Sequence, residues 1–124
     1  MAGKGKNLEI SLLLDFYSPI LTDKQREVLE YYYYEDMSLS EIAEHSLITR
    51  QGVRDNIKRG EKVLFDMEDA LGFVARTAQM QKNLDAIIKA AGEIQEMNKN
   101  TLFSFELTEK ISEVLTAADE IGNL

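Results

Sequence analysis

The chain has 124 residues, 44% of them hydrophobic, with one proline, no cysteine and a net charge of −8 from 22 acidic and 14 basic side chains. That length supports about one domain with a modest core, and the lack of cysteine excludes a disulfide framework and a thiolate metal site. So acidic a molecule does not coat nucleic acid with its whole surface, because its long-range field repels phosphates.

Residues 1–7 are rich in Gly and Lys and read as disordered. The apolar run that follows is interrupted by Glu9 and Ser11 and is too short for a signal peptide or a membrane span, so the chain is expected to be soluble and cytoplasmic, without membrane insertion. Leu8 to Tyr17 reads as a helix, with Leu8, Leu12 and Phe16 in register and Leu13 and Tyr17 beside them, and Pro19 stops it. Thr22 with Gln25 three residues on predicts a capping box for a second helix, whose inward stripe is Val28, Leu29 and Tyr32. Ser38 and Glu41 predict the same for a short third helix that turns Leu39, Ile42 and Ala43 inward. After a turn at Ser46 to Ile48, Thr49 caps a fourth.

That fourth helix carries the concentrated charge. In "ITRQGVRDNIKRGEK", residues 48–62, the cations Arg50, Arg54, Lys58, Arg59 and Lys62 outweigh Asp55 and Glu61, a local +3 that leaves −11 for the rest of the chain. A helix turns about 100° per residue, so Val53 and Ile57 share one face while Gln51, Asp55, Lys58 and Lys62 lie opposite. Arg54 and Arg59 flank that outer side, and Arg50 lies nearer the apolar edge.

The helical pattern continues through Leu64, Met67 and Leu71 to Gly72, where a break or bend is expected. Met80, Leu84, Ile87, Ala91 and Ile94 then alternate at spacings of four and three, the narrow seam of a helix that packs on another helix. Asn98 to Asn100 read as a loop. A last helix shows Leu107, Ile111, Val114, Leu115, Ala118 and Ile121 on one side. The fold class is all-α: residues 8–71 form a helix-turn-helix domain, and residues 73–124 form a C-terminal extension of long helices. The apolar tract Met80 to Ile94 is expected to be covered by a second copy, making the extension a dimerisation region and the protein a homodimer.

"SLSEIAEHSLITRQGVRDNIKR" has the parts of a helix-turn-helix: a small residue where the helices cross, Ala43; an apolar turn residue, Ile48; and the anchors Val53 and Ile57. With the preceding "LTDKQREVLEYYYYEDM" it resembles region four of the sigma-70 transcription factors. "LLLDFY", "LTDKQRE" and "RQGVRDNIKR" in that order are similar to the YlxM family of small bacterial cytoplasmic proteins, over about Leu8 to Leu71. That resemblance implies an all-helical, dimeric protein linked with the signal recognition particle, the ribonucleoprotein that targets nascent membrane proteins. Two positions depart from the pattern. Leu47 stands where such turns usually carry Gly or Asn at positive φ, which predicts a strained or differently shaped turn. Gly52 stands where the family usually has alanine.

Tyr31 to Tyr34 sweep most of a helical turn, so at least one ring is expected to be exposed, as a stacking platform or as packing over neighbouring surface. His45 and the acids Asp66, Glu68 and Asp69 read as solvated side chains, not as a catalytic or metal site. With no phosphate loop and no nucleophile paired to a base, neither an enzyme nor a cofactor is expected. The candidate binding residues are Thr49, Arg50, Gln51, Arg54, Asp55, Lys58, Arg59 and Lys62, with Gln51 best placed for a base edge. The expected function is an accessory or regulatory role in the signal recognition particle pathway, with the particle's RNA or its GTPases as partner. The alternative is a dimeric DNA-binding transcription regulator. Asp55 would repel backbone phosphates, yet could accept a hydrogen bond from cytosine N4.

Overall fold

Three hydroxyl side chains set helix starts in the N-terminal half. The computed structural model describes residues 8–123, so the stretch expected to be disordered lies outside them. Helix α1 (Leu8–Tyr17) runs into a 3-10 turn, Ser18–Ile20, that contains Pro19. Helix α2 (Asp23–Tyr33) opens on the expected capping box: Thr22 Oγ1 accepts the Gln25 N–H and Gln25 Oε1 accepts the Thr22 N–H, each at 3.1 Å. Ser38 and Glu41 repeat the exchange at 3.1 and 2.8 Å for α3 (Leu39–Ser46). Thr49 Oγ1 accepts the Gly52 N–H at 2.9 Å and starts α4 (Arg50–Leu71). Each cap is worth about 1 kcal/mol.

The α3 to α4 turn takes the strained form. Leu47 adopts the left-handed conformation, φ 58° and ψ 41°, with its side chain 89% exposed. The N–H groups of Leu47 and Ile48 both return to the Ala43 carbonyl. At the far end of α4, Gly72 supplies the expected break with φ 64°, and α5 (Phe73–Met97) begins at the next residue.

The chain divides into two compact units, Met1–Val74 and Ala75–Leu124. The core of the first is Ile10, Leu13, Leu14, Tyr17, Leu21, Val28, Leu29, Ile42, Val53, Ile57 and Leu64. Leu39, Ala43 and Tyr32, expected on the inward stripes, are only partly buried against it. On α1 the expected register is half corrected, since Leu13 and Tyr17 are in the core while Leu8, Leu12 and Phe16 are exposed. The helix is apolar nearly all round, so periodicity does not choose a face. Its packing on α2 and α4 chooses Ile10, Leu13, Leu14 and Tyr17. Helices α2 and α4 approach closely at Gly60, where a Cβ would lie 2.5 Å from Leu29 Cδ1.

In the second unit α5 is followed by one π-helical turn, Asn98–Leu102, and by α6 (Phe105–Gly122). The loop expected at Asn98 to Asn100 is therefore helical, and the chain reverses at Phe103, which is left-handed at φ 53°. Buried Asn98 holds the reversal, donating to the Ser104 carbonyl and Thr108 Oγ1 at 2.9 and 2.8 Å and accepting the Ser104 N–H at 2.7 Å. Leu84, Ala91, Ile111 and Ala118 are buried, whereas Met80, Ile87, Ile94, Val114 and Ile121 on the same expected stripes stay exposed. Among the described residues no helix is long and apolar enough to cross a membrane.

Candidate nucleic-acid interface

Helices α3 and α4 make the helix-turn-helix, and the packing of their inner faces decides which side of α4 looks outward. Ile42, Val53 and Ile57 are buried with Leu29 and Val28, so Arg50, Gln51, Arg54, Lys58, Arg59 and Lys62 are left exposed and Asp55 half-buried. Thr49 uses its hydroxyl oxygen as the helix cap. Gln51 Nε2 donates to Asp55 Oδ1 at 3.0 Å one turn on.

The cations of the first unit divide into two groups. Lys24, Arg26 and Lys62 pair with Glu27, Asp23 and Asp66 at 3.3, 3.3 and 3.0 Å. Arg50, Arg54, Lys58 and Arg59 have no ion-pair partner among the described residues. At about 1.5 Å of rise per residue, Lys62 lies about 18 Å along the axis from Arg50, and its charge is already paired with Asp66. The predicted residues therefore do not form one patch: Arg50, Gln51, Arg54, Asp55, Lys58 and Arg59 share the first turns of α4, with Lys62 beyond them and already engaged.

A polar node behind the turn holds this helix start in place. Buried Ser46 donates its hydroxyl to Glu27 Oε2 at 2.6 Å, and Lys24 Nζ donates to the Ser46 carbonyl at 3.2 Å and to the same carboxylate. The Ser46 hydroxyl, aided by Lys24, holds the Glu27 carboxyl below its ordinary range. Nothing in the spacing of Lys24, Glu27 and Ser46 announced this node, because it joins two helices.

The tyrosine run ties α2 to its neighbours. Tyr33 donates to Glu61 and Tyr34 to Asp15, Tyr31 rests against His45 with centroids 5.4 Å apart, and Tyr32 meets Tyr33 edge-on at 5.0 Å. Tyr34 is the exposed ring, at 46%, and the other three are partly buried. Burial, reinforced by the carboxylates, raises the phenol pKa of both Tyr33 and Tyr34.

One acid expected on a solvated face turns inward. Glu68 Oε1 accepts the Tyr17 hydroxyl at 2.6 Å and the Val74 N–H at 3.0 Å, while the Tyr17 oxygen accepts the Phe73 N–H at 3.2 Å. Asp66 is held by Lys62, and Asp69 is exposed. Among the described residues no group of three or more His, Cys, Asp or Glu is disposed to hold a metal.

Comparison with known proteins gives a consistent result. Residues 4–103 match the family described as "Putative helix-turn-helix protein, YlxM / p13 like". The UPF0122 protein of Thermoanaerobacter pseudethanolicus is 41% identical over 115 residues, 93% of this chain and 95% of its own length. That of Acetivibrio thermocellus is 50% identical over 84 residues, 68% of this chain and 72% of its own. The Fusobacterium nucleatum protein is 48% identical over 77 residues, 62% of this chain and 71% of its own.

Proposed function

Because the chain belongs to the YlxM / p13-like helix-turn-helix family, we propose that it is a non-enzymatic, cytoplasmic regulatory protein that binds nucleic acid through the outward face of α4 and serves the signal recognition particle pathway. The observation that carries the binding reading is the unpaired set Arg50, Arg54, Lys58 and Arg59. These side chains are exposed on the second helix of a helix-turn-helix whose inner face is locked in the core. In an acidic chain such a cluster is the surface on which phosphates are attracted rather than repelled. The pathway is supported by the resemblance carried by "LLLDFY", "LTDKQRE" and "RQGVRDNIKR", and the particle's RNA is the phosphate-bearing partner that it supplies.

A protein of this kind changes targeting by binding one state of the particle better than another, since a ligand shifts an equilibrium by its differential affinity. The test is GTP turnover by the particle and its receptor at fixed salt, with and without the particle's RNA. Wild-type protein is expected to change turnover, and replacing Arg54, Lys58 and Arg59 together with Glu is expected to abolish the change. No effect at saturating protein would reject the pathway. An effect that needs the cations but not the RNA would move the contact to an acidic GTPase surface.

A second reading, regulation through duplex DNA, is favoured by Gln51, an exposed amide in the first turn of the helix that such folds lay in a major groove. In either reading the protein acts as a homodimer through its second unit, a proposal supported by the exposed apolar side chains of Met80, Ile87, Ile94, Val114 and Ile121 on α5 and α6.

A further inference from the structure

We propose that Gln51, oriented by Asp55, reads an adenine in the major groove of duplex DNA, a proposal that rests on the second reading of α4, as a helix that binds duplex DNA. The orientation follows from chemistry. Asp55 Oδ1 accepts a hydrogen bond of 3.0 Å from Gln51, and an ionised carboxylate only accepts, so the amide must turn its nitrogen towards Asp55. The amide oxygen and the second N–H of Gln51 are left to face outward, an acceptor beside a donor held by the helix below.

Adenine offers the complementary pair in the major groove, the N6 donor beside the N7 acceptor. Guanine presents two acceptors there, so its O6 would oppose the Gln51 oxygen. Cytosine presents a donor alone, and thymine an acceptor and a methyl group. RNA duplexes do not expose this edge to a helix, because their major groove is deep and narrow. The proposal is therefore specific to DNA.

Asp55 supports the same reading through its charge. It is the one acid in residues 50–59 and lies among four unpaired cations. A surface that met only phosphates would bind them better without it. Its cost in general attraction makes sense if it positions a base-reading side chain and lowers affinity for unrelated duplex.

The test uses the full chain to select duplexes from a randomised DNA library at fixed salt, followed by fluorescence anisotropy on the selected duplex. The enriched site is expected to contain an adenine whose replacement by 7-deazaadenine, which lacks the N7 acceptor, weakens binding about tenfold or more. Gln51→Ala should erase enrichment at that base and leave the other positions intact. Asp55→Asn removes the charge and can donate as well as accept, so it no longer fixes the Gln51 amide and should weaken the preference while tightening binding to unrelated duplex. Asp55→Ala should tighten that binding and lose part of the preference. A far-ultraviolet spectrum matching wild type qualifies each variant. An enriched site indifferent to Gln51→Ala, selection without any base preference, or binding confined to RNA would overturn the proposal and leave the nucleic-acid reading of α4 standing. If duplex and RNA binding were both absent, or both unchanged by Arg54→Ala with Lys58→Ala, the reading and the proposal would fall together.

Discussion

Tyr17 and Glu68 join the first helix to the end of the fourth at 2.6 Å, and between them they accept the first two backbone donors of the next helix, those of Phe73 and Val74. Such donors have no partner inside their own helix. Tyr17→Phe removes the hydroxyl, which takes the acceptor from the Phe73 N–H and leaves the Glu68 carboxylate with one donor fewer, so a loss of about 1–3 kcal/mol is expected in urea denaturation. In a double-mutant cycle with Glu68→Gln the two changes should be non-additive by at least about 0.5 kcal/mol. Additive effects would mean that the contact contributes nothing to stability.

Leu47→Gly is expected to stabilise the protein by about 1 kcal/mol. A left-handed conformation costs a branched residue roughly 1–2 kcal/mol, and glycine recovers most of that while losing more backbone entropy on folding. The exposed leucine side chain gives up little packing in return. A lowered melting temperature would show that the turn is not the strained element.

Gly60→Ala should have the opposite sign. Alanine gains about 1 kcal/mol in helix propensity, but its methyl group would lie 2.5 Å from Leu29 Cδ1, and Leu29 is fully buried. Overpacking of this kind costs about 1–3 kcal/mol, so a net loss is expected. With Leu29→Ala in the background the same substitution should cost much less, as the denaturation midpoints will report.

Stability should fall in acid. Glu27, held first by the Ser46 hydroxyl, and Glu41, held first by the Ser38 N–H, have carboxyl pKa values below the ordinary 4.5. Their contribution is present above 4.5 and is lost as pH falls through the lower folded values. Ser46→Ala should flatten that decline in a series of denaturation curves from pH 7 to pH 3. On the alkaline side, Tyr17, Tyr33 and Tyr34 are raised above the ordinary 10.0, chiefly by burial. They stabilise the fold below that pH and stop doing so as it rises beyond.

Light scattering should give a dimer mass at micromolar concentration, and Ile87→Glu should halve it. Ile87 is 46% exposed within the chain, so a charge there should leave the chain folded and act on the contact between copies. A monomer mass for wild type would dismiss the dimer, and a dimer that survives the substitution would place the contact elsewhere.

What was legible in the sequence was local. Thr22 with Gln25, Ser38 with Glu41, and Thr49 each need only three residues to state their chemistry, and all three caps form. Leu47 and Gly72 were readable because each helix end requires a left-handed residue at one position. The face of α1 was not legible, since an apolar helix is oriented by what packs on it. Glu68 turns inward to meet a tyrosine 51 positions away, and Gly60 is small because Leu29 occupies the space beside it. Within the candidate site the cations were evident from spacing. The Gln51–Asp55 bond and the Lys62–Asp66 pair, both four residues apart, obey the same helical geometry and were equally open to sequence reading.

The core of the first unit is drawn from both sides of the helix-turn-helix, from Ile10, Leu13, Leu14 and Tyr17 ahead of it and from Leu64 after Lys62. The motif is therefore not a transplantable cassette. A chimera that borrowed residues 38–62 alone would inherit the charged exterior and present Ile42, Val53 and Ile57 to water. The outward side chains of α4 can be exchanged one at a time on the intact scaffold, whereas moving the segment by itself leaves its inner face uncovered.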